Sequence, residues 1–571
     1  MIMILILLRL LLLNLLNSLV LFFIFLIVSN PTVCHIFHFT LLPSLFRWRG
    51  HILNFLTKRS FILDHSDVER EVDYISELPD CILSDIQSMI SMKDMMNTSI
   101  LSKRWCNLWH LRRDLQFDVR NVFGSKEQVL KEGYLVIEKK DHEKLKRRAS
   151  DECRDEFVRR VDQFVKNFKG TEIDSFMVEF CLNDEHSKSI DEWIRFAITR
   201  GVGRIDLLLY AQKKSSYHHY NEDNEDSGYK FPFGLSFDQC DKYSTTLKYM
   251  HLRFCCLVYH PTNFDIFPFT NLRSLKLVKS VVDVNMLTAL LSNCLLFEEL
   301  SLFTCVLRSN SSTLKIESSS LCHLKLDHCF GNENESLELI SLDCPKLTSF
   351  YYYPTRHSDS ILSMNTPILK TIYYFDWHDK LDEMFALLAT LTKLEILNLY
   401  YFGHYNPYIC LEQEGRVLQN LRELNLSVDA SSDFDTSWIF IILQGSPSLQ
   451  KLSVMITYPV FHKNERDSQY LFDIQDLGMF SDVMFSHDEI KVIELGGCVG
   501  NRYEIEFAMN ALKYIHSLER IVLSPDWIDK YSRSKYSNIW TCDPTWSQNG
   551  REIILEKLRA EGIELDKLVL K

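Results

Sequence analysis

The chain has 571 residues, 46% hydrophobic and 24% charged, a globular composition with apolar material for several domains or one long array. A net charge of -13 argues against nucleic-acid binding, because the only cationic cluster, Lys139 to Arg160, is interleaved with Asp141, Glu143, Asp151, Glu152, Asp155 and Glu156 and reads as a solvated helix face or linker. The 16 cysteines contain no C-x-x-C pair, which excludes a small disulfide scaffold or zinc module; Cys305 and Cys329, just after apolar strands, read as small buried hydrophobes in a reducing compartment.

Residues 1–30 are almost wholly apolar from Ile2 to Val28, longer than the roughly 20 residues that span a bilayer as a helix. Arg47, Arg49, Lys58 and Arg59 follow, within a linker over 31–70, and would hold the remainder of the chain in the cytosol. The stretch is either an N-terminal membrane anchor or an upstream segment mis-assigned to the protein.

Residues 73–112 read as three short helices. Leu78-Pro79-Asp80 opens the first, with proline suited to the first helical position and Asp80 complementing the positive helix end. Ile82, Leu83 and Ile86 share one face. Ser91 with Asp94 caps a second helix. Ser99 begins a third, in which Leu101, Trp105, Leu108 and Trp109 recur at helical spacing. So few residues cannot bury all these groups alone, so some stay bare until a partner covers them.

The run DYISELPDCILSDIQSMISMKDMMNTSILSKRWCNLW, from Asp73 to Trp109, resembles the plant F-box, matching it at Asp73, Ile75, Ser76, Leu78, Pro79, Asp80, Leu83, Thr98, Ser99, Leu101, Ser102, Lys103, Arg104, Trp105, Leu108 and Trp109. The resemblance implies docking to a Skp-type adaptor, and through it a cullin, by Leu78, Pro79, Ile82, Leu83 and Ile86, helped by the helix carrying Leu101, Trp105, Leu108 and Trp109. Two positions depart from the family pattern: Gln87 replaces an apolar residue and Ser91 a frequent proline. Gln87 desolvated without a partner would weaken adaptor packing by about 1 kcal/mol.

Residues 113–170 read as a connection, with an amphipathic helix built on Phe157, Val161, Phe164, Val165 and Phe168. Over 171–480 the phrase apolar-x-x-apolar-x-apolar then recurs. Leu247/Met250/Leu252, Leu272/Leu275/Leu277, Phe297/Leu300/Leu302 and Leu321/Leu324/Leu326 are followed by Leu347/Phe350/Tyr352, Leu369/Ile372/Tyr374 and Leu394/Leu397/Leu399. Leu421/Leu424/Leu426 and Leu449/Leu452/Val454 continue it, and Ile490/Ile493/Leu495 and Leu518/Ile521/Leu523 are late copies. Ile173/Phe176/Val178 and Val202/Ile205/Leu207 are less regular early ones. The starts are spaced by about 22 to 28 residues, the leucine-rich-repeat period. Each unit supplies a short strand with alternate residues inward and returns as an outer helix or loop, as at Met286–Leu291 and Met384–Leu391; units stack into a curved α/β solenoid. The run after Phe485, SHDEIKVIELGGCVGNRYEIEFAMNALKYIHSLERIVLSP, within 481–571, resembles the FBD-type C-terminal segment of plant F-box/leucine-rich-repeat proteins, and DEWIRFAITRGVGRIDLLL over 191–209 their first repeats.

Period-two alternation places Tyr351, Tyr353, Tyr373, Phe375 and Tyr400 together on the concave face. Such an aromatic patch either holds a segment of a target protein or is packed by the chain itself under the loop Tyr401–Pro407. No catalytic signature is present, and no cofactor or metal is expected; His218-His219 before Glu222, Asp223, Glu225 and Asp226 reads as an acidic insertion. By the resemblance the chain is a non-catalytic receptor of a ubiquitin ligase, working in cytoplasm or nucleus, or at a membrane through residues 2–28. A non-degradative scaffold is the alternative.

Overall fold

The computed structural model describes residues 92–93, 95, 109–124, 135–138, 146–149, 151–210, 228–232, 246–257, 269–332, 335–355, 360–376, 381–401, 417–429, 437–457, 486–498, 502–525, 550–560, 562 and 564–571. All of these belong to the unit Ser76–Lys571. The apolar segment 2–28, the insertion at His218 and the loop after Tyr401 lie outside the described residues.

Every repeat phrase becomes a strand of one parallel sheet, which among the described residues has 15 strands in strict chain order, from Asp114–Asp118 to Leu568–Leu570. All the inward triplets named above are buried. A single core of these side chains runs the length of the sheet, because each unit seals its apolar face only against the next.

Two expectations are corrected. The sheet begins at Asp114, inside the stretch read as a connection: Asp114–Asp118 pairs in parallel with Ser175–Phe180 and buries Leu115 and Phe117. The leading apolar slot of that unit is filled by Arg112, buried, whose Nε donates to the Asp114 carbonyl at 2.8 Å. The outer wall, expected as helix or loop, also contains strands. Helices Val284–Asn293 and Leu381–Leu388 form as expected. Between them, Thr313–Glu317, Leu339–Asp343 and Ile361–Asn365 pair as a second parallel sheet. These segments alternate apolar and polar residues, Leu314 and Ile316 or Ile340 and Leu342 pointing to the core, which suits a strand rather than a helix.

The amphipathic helix is Asp151–Asn167. Its Phe157 stacks on Phe180 at 4.0 Å and its Phe164 meets Phe117 edge-on at 5.3 Å. Asp162 accepts from Trp193 Nε1 at 2.6 Å, tying this helix to Ser187–Ile198. On its outer side Glu156 accepts from Arg159 and Arg160; Arg159 is exposed, Glu156 and Arg160 are half-buried, and Arg154 of the same helix is buried. Hydrogen bonding from Arg159, with help from Arg160 and against burial, holds the Glu156 carboxyl at about 2, below its ordinary 4.5. A lowered carboxyl pKa stabilises the fold above the ordinary value, and the contribution is lost as pH falls towards the folded one. Glu156→Gln should therefore be less stable than wild type at neutral pH, with the gap closing between pH 4.5 and about 2; urea midpoints of both proteins across that range measure it. A gap that is constant with pH would remove the ion pair from the account.

One backbone device repeats. Phe254, Lys279, Thr304 and His328, each the residue after a sheet strand, have φ of 54°, 49°, 52° and 50°. Gly497 occupies the same slot with φ 74°. The next residue is Cys255, Ser280, Cys305, Cys329 or Cys498, and its side chain donates to strand carbonyls, as Cys305 does to Leu277 and Phe303 at 3.5 Å. Burial pushes the Cys305 thiol up to about 12. These cysteines are neutral hydrogen-bonding plugs; Cys305 is buried as read from sequence, whereas Cys329 is half-buried.

Candidate binding face

Residues between the buried ones in each strand line the sheet face turned away from the core. Register places Lys276, Ser301, Lys325, Tyr351, Tyr373, Asn398 and Asn425 in one row across successive strands. One step along each strand lies a second row, with Phe303, Asp327, Tyr353, Phe375 and Tyr400.

The five aromatic residues expected to meet do so. Phe375 is stacked between Tyr353, at 4.1 Å and 20°, and Tyr400, at 4.0 Å and 3°. Tyr351 packs on Phe375 at 5.4 Å and on Tyr373 at 5.8 Å. The expectation that all five present contact surface is corrected by this geometry: Phe375 is 3% exposed and Tyr353 6%. Adjacent parallel strands are about 4.8 Å apart, close enough for rings in register to lie face to face and cover the middle one. Tyr351, Tyr373 and Tyr400 are half-buried and form the open surface; the two buried rings hold them in place.

The row closes on one side of this patch. Asn398 is buried and its Nδ2 donates to the Ile372 carbonyl at 3.3 Å; Asn425, also buried, donates to Asn398 Oδ1 at 3.1 Å. Beyond them Lys451 bridges Glu423 and Glu494. On the other side the row stays open. Lys325 Nζ lies 3.9 Å from the centroid of the Tyr351 ring and 4.7 Å from that of Phe303. These lysines were overlooked at the sequence level, although their position between two inward leucines, Leu275-Lys276-Leu277 and Leu324-Lys325-Leu326, places them on this face by the same alternation.

Of the adaptor-facing candidates, Leu78, Pro79, Ile82, Leu83, Ile86, Leu101, Trp105 and Leu108 lie outside the described residues. Trp109 is half-buried, edge-on to Phe164 at 5.2 Å and Phe168 at 5.8 Å, so part of its ring is covered by the end of the helix Asp151–Asn167 and the residue after it. Met92 and Met95, which the sequence did not single out, are buried in the same core. Lys93 Nζ donates to the Phe123 carbonyl at 2.8 Å. Met92, Lys93, Met95 and Trp109 are thus tied to the first turn of the solenoid. Among the described residues no group of His, Cys, Asp and Glu is arranged to hold a metal, and no helix is long and apolar enough to cross a membrane.

Comparison with known proteins agrees with this architecture. The model of the At1g61320/AtMIF1 leucine-rich-repeat domain matches residues 164–561, more than half of the chain. Similar curated proteins from Arabidopsis thaliana include F-box/LRR-repeat protein 13, 24% identical over 52% of this chain and 55% of its own length. F-box/LRR-repeat protein At3g58940 is 24% identical over 67% and 54%, and F-box/FBD/LRR-repeat protein At1g13570 is 23% identical over 80% and 92%. The chain thus spans about half the length of the first two relatives and nearly all of the third. With a continuous repeat sheet over the matched residues, the chain belongs to the At1g61320/AtMIF1 leucine-rich-repeat family, among the plant F-box/leucine-rich-repeat proteins.

Proposed function

We propose that this chain is the target-recognition subunit of a Skp–cullin–F-box ubiquitin ligase. The box over 73–112 binds the Skp-type adaptor, and the open face of the repeat sheet holds a target protein at Tyr351, Tyr373 and Tyr400. The observation that supports this best is the ring stack on that face, built across adjacent repeats in a chain whose relatives carry F-box and repeat names. The chain does no chemistry in this scheme. It brings a target lysine near a separately recruited ubiquitin-charged enzyme, and proximity lowers the barrier. Met92 and Met95, within the box segment, are buried in the repeat core, a contact that favours such positioning. The body works in cytoplasm or nucleus; retention of the full chain in carbonate-washed membranes would add a tether through residues 2–28.

Affinity purification from cells with the proteasome blocked tests both halves. Leu78→Ala with Trp105→Ala should lose adaptor and cullin together. Tyr351→Ala with Tyr373→Ala should keep both and recover target at least about tenfold less, since truncating a hot-spot aromatic removes more than about 1 kcal/mol. Adaptor without cullin would replace the ligase by a non-degradative scaffold, and undiminished target on the tyrosine variants would move recognition off this face.

A further inference from the structure

The row that reaches Tyr373 starts with cations. Lys276 and Lys325 flank Ser301 in register, so their strands are about 10 Å apart. Their ammonium groups gather over one ring, Lys276 Nζ at 5.4 Å and Lys325 Nζ at 4.7 Å from the Phe303 centroid. His251 precedes Lys276 in the same row; its Nδ1 lies 3.6 Å from Asp206, and its Nε2 is shielded from water without a hydrogen-bond partner.

Three carboxylates border the row, each with a partner of its own. Asp206 accepts from Arg204 at 2.7 Å, Asp327 sits 2.8 Å from His328 Nδ1, and Glu299 accepts from Ser274 at 2.9 Å. Among the described residues none forms an ion pair with Lys325, whose ammonium has aromatic faces instead. Burial lowers the pKa of Lys325, Asp327 counters it, and the charge of Lys276 lowers it further. An anion placed between the two ammonium groups would relieve both burial and repulsion.

We propose that the target segment seated on this face is acidic, with a carboxylate side chain held between Lys276 and Lys325 and an apolar or aromatic side chain against Tyr351 and Tyr373. The inference rests on the reading of this face as the target site and adds the chemistry of its occupant. From the lysine pair to the tyrosine pair is about 12 Å, three to four residues of extended chain. A nucleic-acid strand would also offer anions and stacking bases, but the cations are few and the chain carries a net charge of -13.

Fluorescence anisotropy with the full chain tests this. The probes are a labelled glycine–serine peptide bearing a run of glutamates and a phenylalanine four places on, its glutamine counterpart, and oligothymidylate as competitor. The glutamate peptide should bind, weaken with added salt, and exceed the glutamine peptide by about tenfold, the worth of one charge-assisted contact. Lys276→Gln with Lys325→Gln should reduce the glutamate peptide to the glutamine level without shifting the unfolding midpoint, while Tyr373→Ala should weaken both peptides. Equal binding of the two peptides, no binding of either, or indifference to the lysine variants would overturn the acidic occupant; stronger binding of oligothymidylate would replace it by nucleic acid. Loss of charge dependence with Tyr373→Ala still effective would leave the target face standing, whereas indifference to Tyr373→Ala would count against that face itself.

Discussion

Phe350→Ala should lower the unfolding free energy by about 3–5 kcal/mol, the range for emptying a fully buried aromatic site. Phe350 is 0% exposed and sits mid-sheet between Leu324 and Ile372 in register, with the Tyr352 ring stacked at 6.0 Å. The neighbours cannot collapse into the hole without breaking the pairing that aligns them, so a cavity remains. In a stacked array each unit touches mainly the units beside it, so weakening one central interface separates the halves. Urea unfolding followed by far-UV circular dichroism should therefore show a lower midpoint and a broader, two-step transition. A sharp single transition at the wild-type midpoint would mean that the core does not run continuously through this repeat. The same variant bears on function, because Tyr351, the next residue, presents its ring on the opposite face; a loosened strand should also weaken target capture.

How much of this was legible in the residues follows from what each signal depends on. The inward triplets were readable because burial imposes a strict period of two within strands and a long period between them; every phrase named from Ile173 to Leu523 is buried. The first strand was missed because Arg112 stands in its leading apolar slot. The last, Leu568–Leu570, follows Leu565 in the full phrase, but a long stretch separates it from the preceding copy. For the outer wall the repeat period alone permits helix or loop; the alternation of Leu314 with Ile316 and of Ile340 with Leu342 is the signal that marks strands there. For the binding face, alternation brings all five rings together, and the same rule puts Lys276 and Lys325, which the sequence reading passed over, in their row. It could not show that Phe375 would be sealed between Tyr353 and Tyr400, because sealing depends on ring rotamers across three strands. The left-handed slot was unreadable, since Phe, Lys, Thr, His and Gly fill it in turn and share no side-chain chemistry. Only the Cys or Ser that follows marks it.

That slot gives the second large expected effect, at its glycine member. Gly497→Ala should destabilise the C-terminal repeats by on the order of 3 kcal/mol, as an added methyl meets both an unfavourable backbone conformation and a fixed backbone atom. With φ at 74°, a Cβ on Gly497 would stand 2.1 Å from the Ile456 carbonyl oxygen. That oxygen belongs to the paired strand Lys451–Thr457, which cannot retreat without opening the sheet. Lys279 is the instructive contrast. It has φ 49° and already carries a side chain in the same slot, so there the backbone alone is strained. Lys279→Gly should leave stability unchanged or raise it by about 0.5 kcal/mol, as relief of the left-handed strain slightly exceeds the entropy lost by glycine. Thermal unfolding of both variants separates the causes. If Gly497→Ala and Lys279→Gly both leave the midpoint unmoved, neither strain nor contact limits the turn. A large loss at Gly497 beside none at Lys279 assigns it to the approach of Ile456, a constraint set by how closely the Val492–Gly496 strand follows its neighbour.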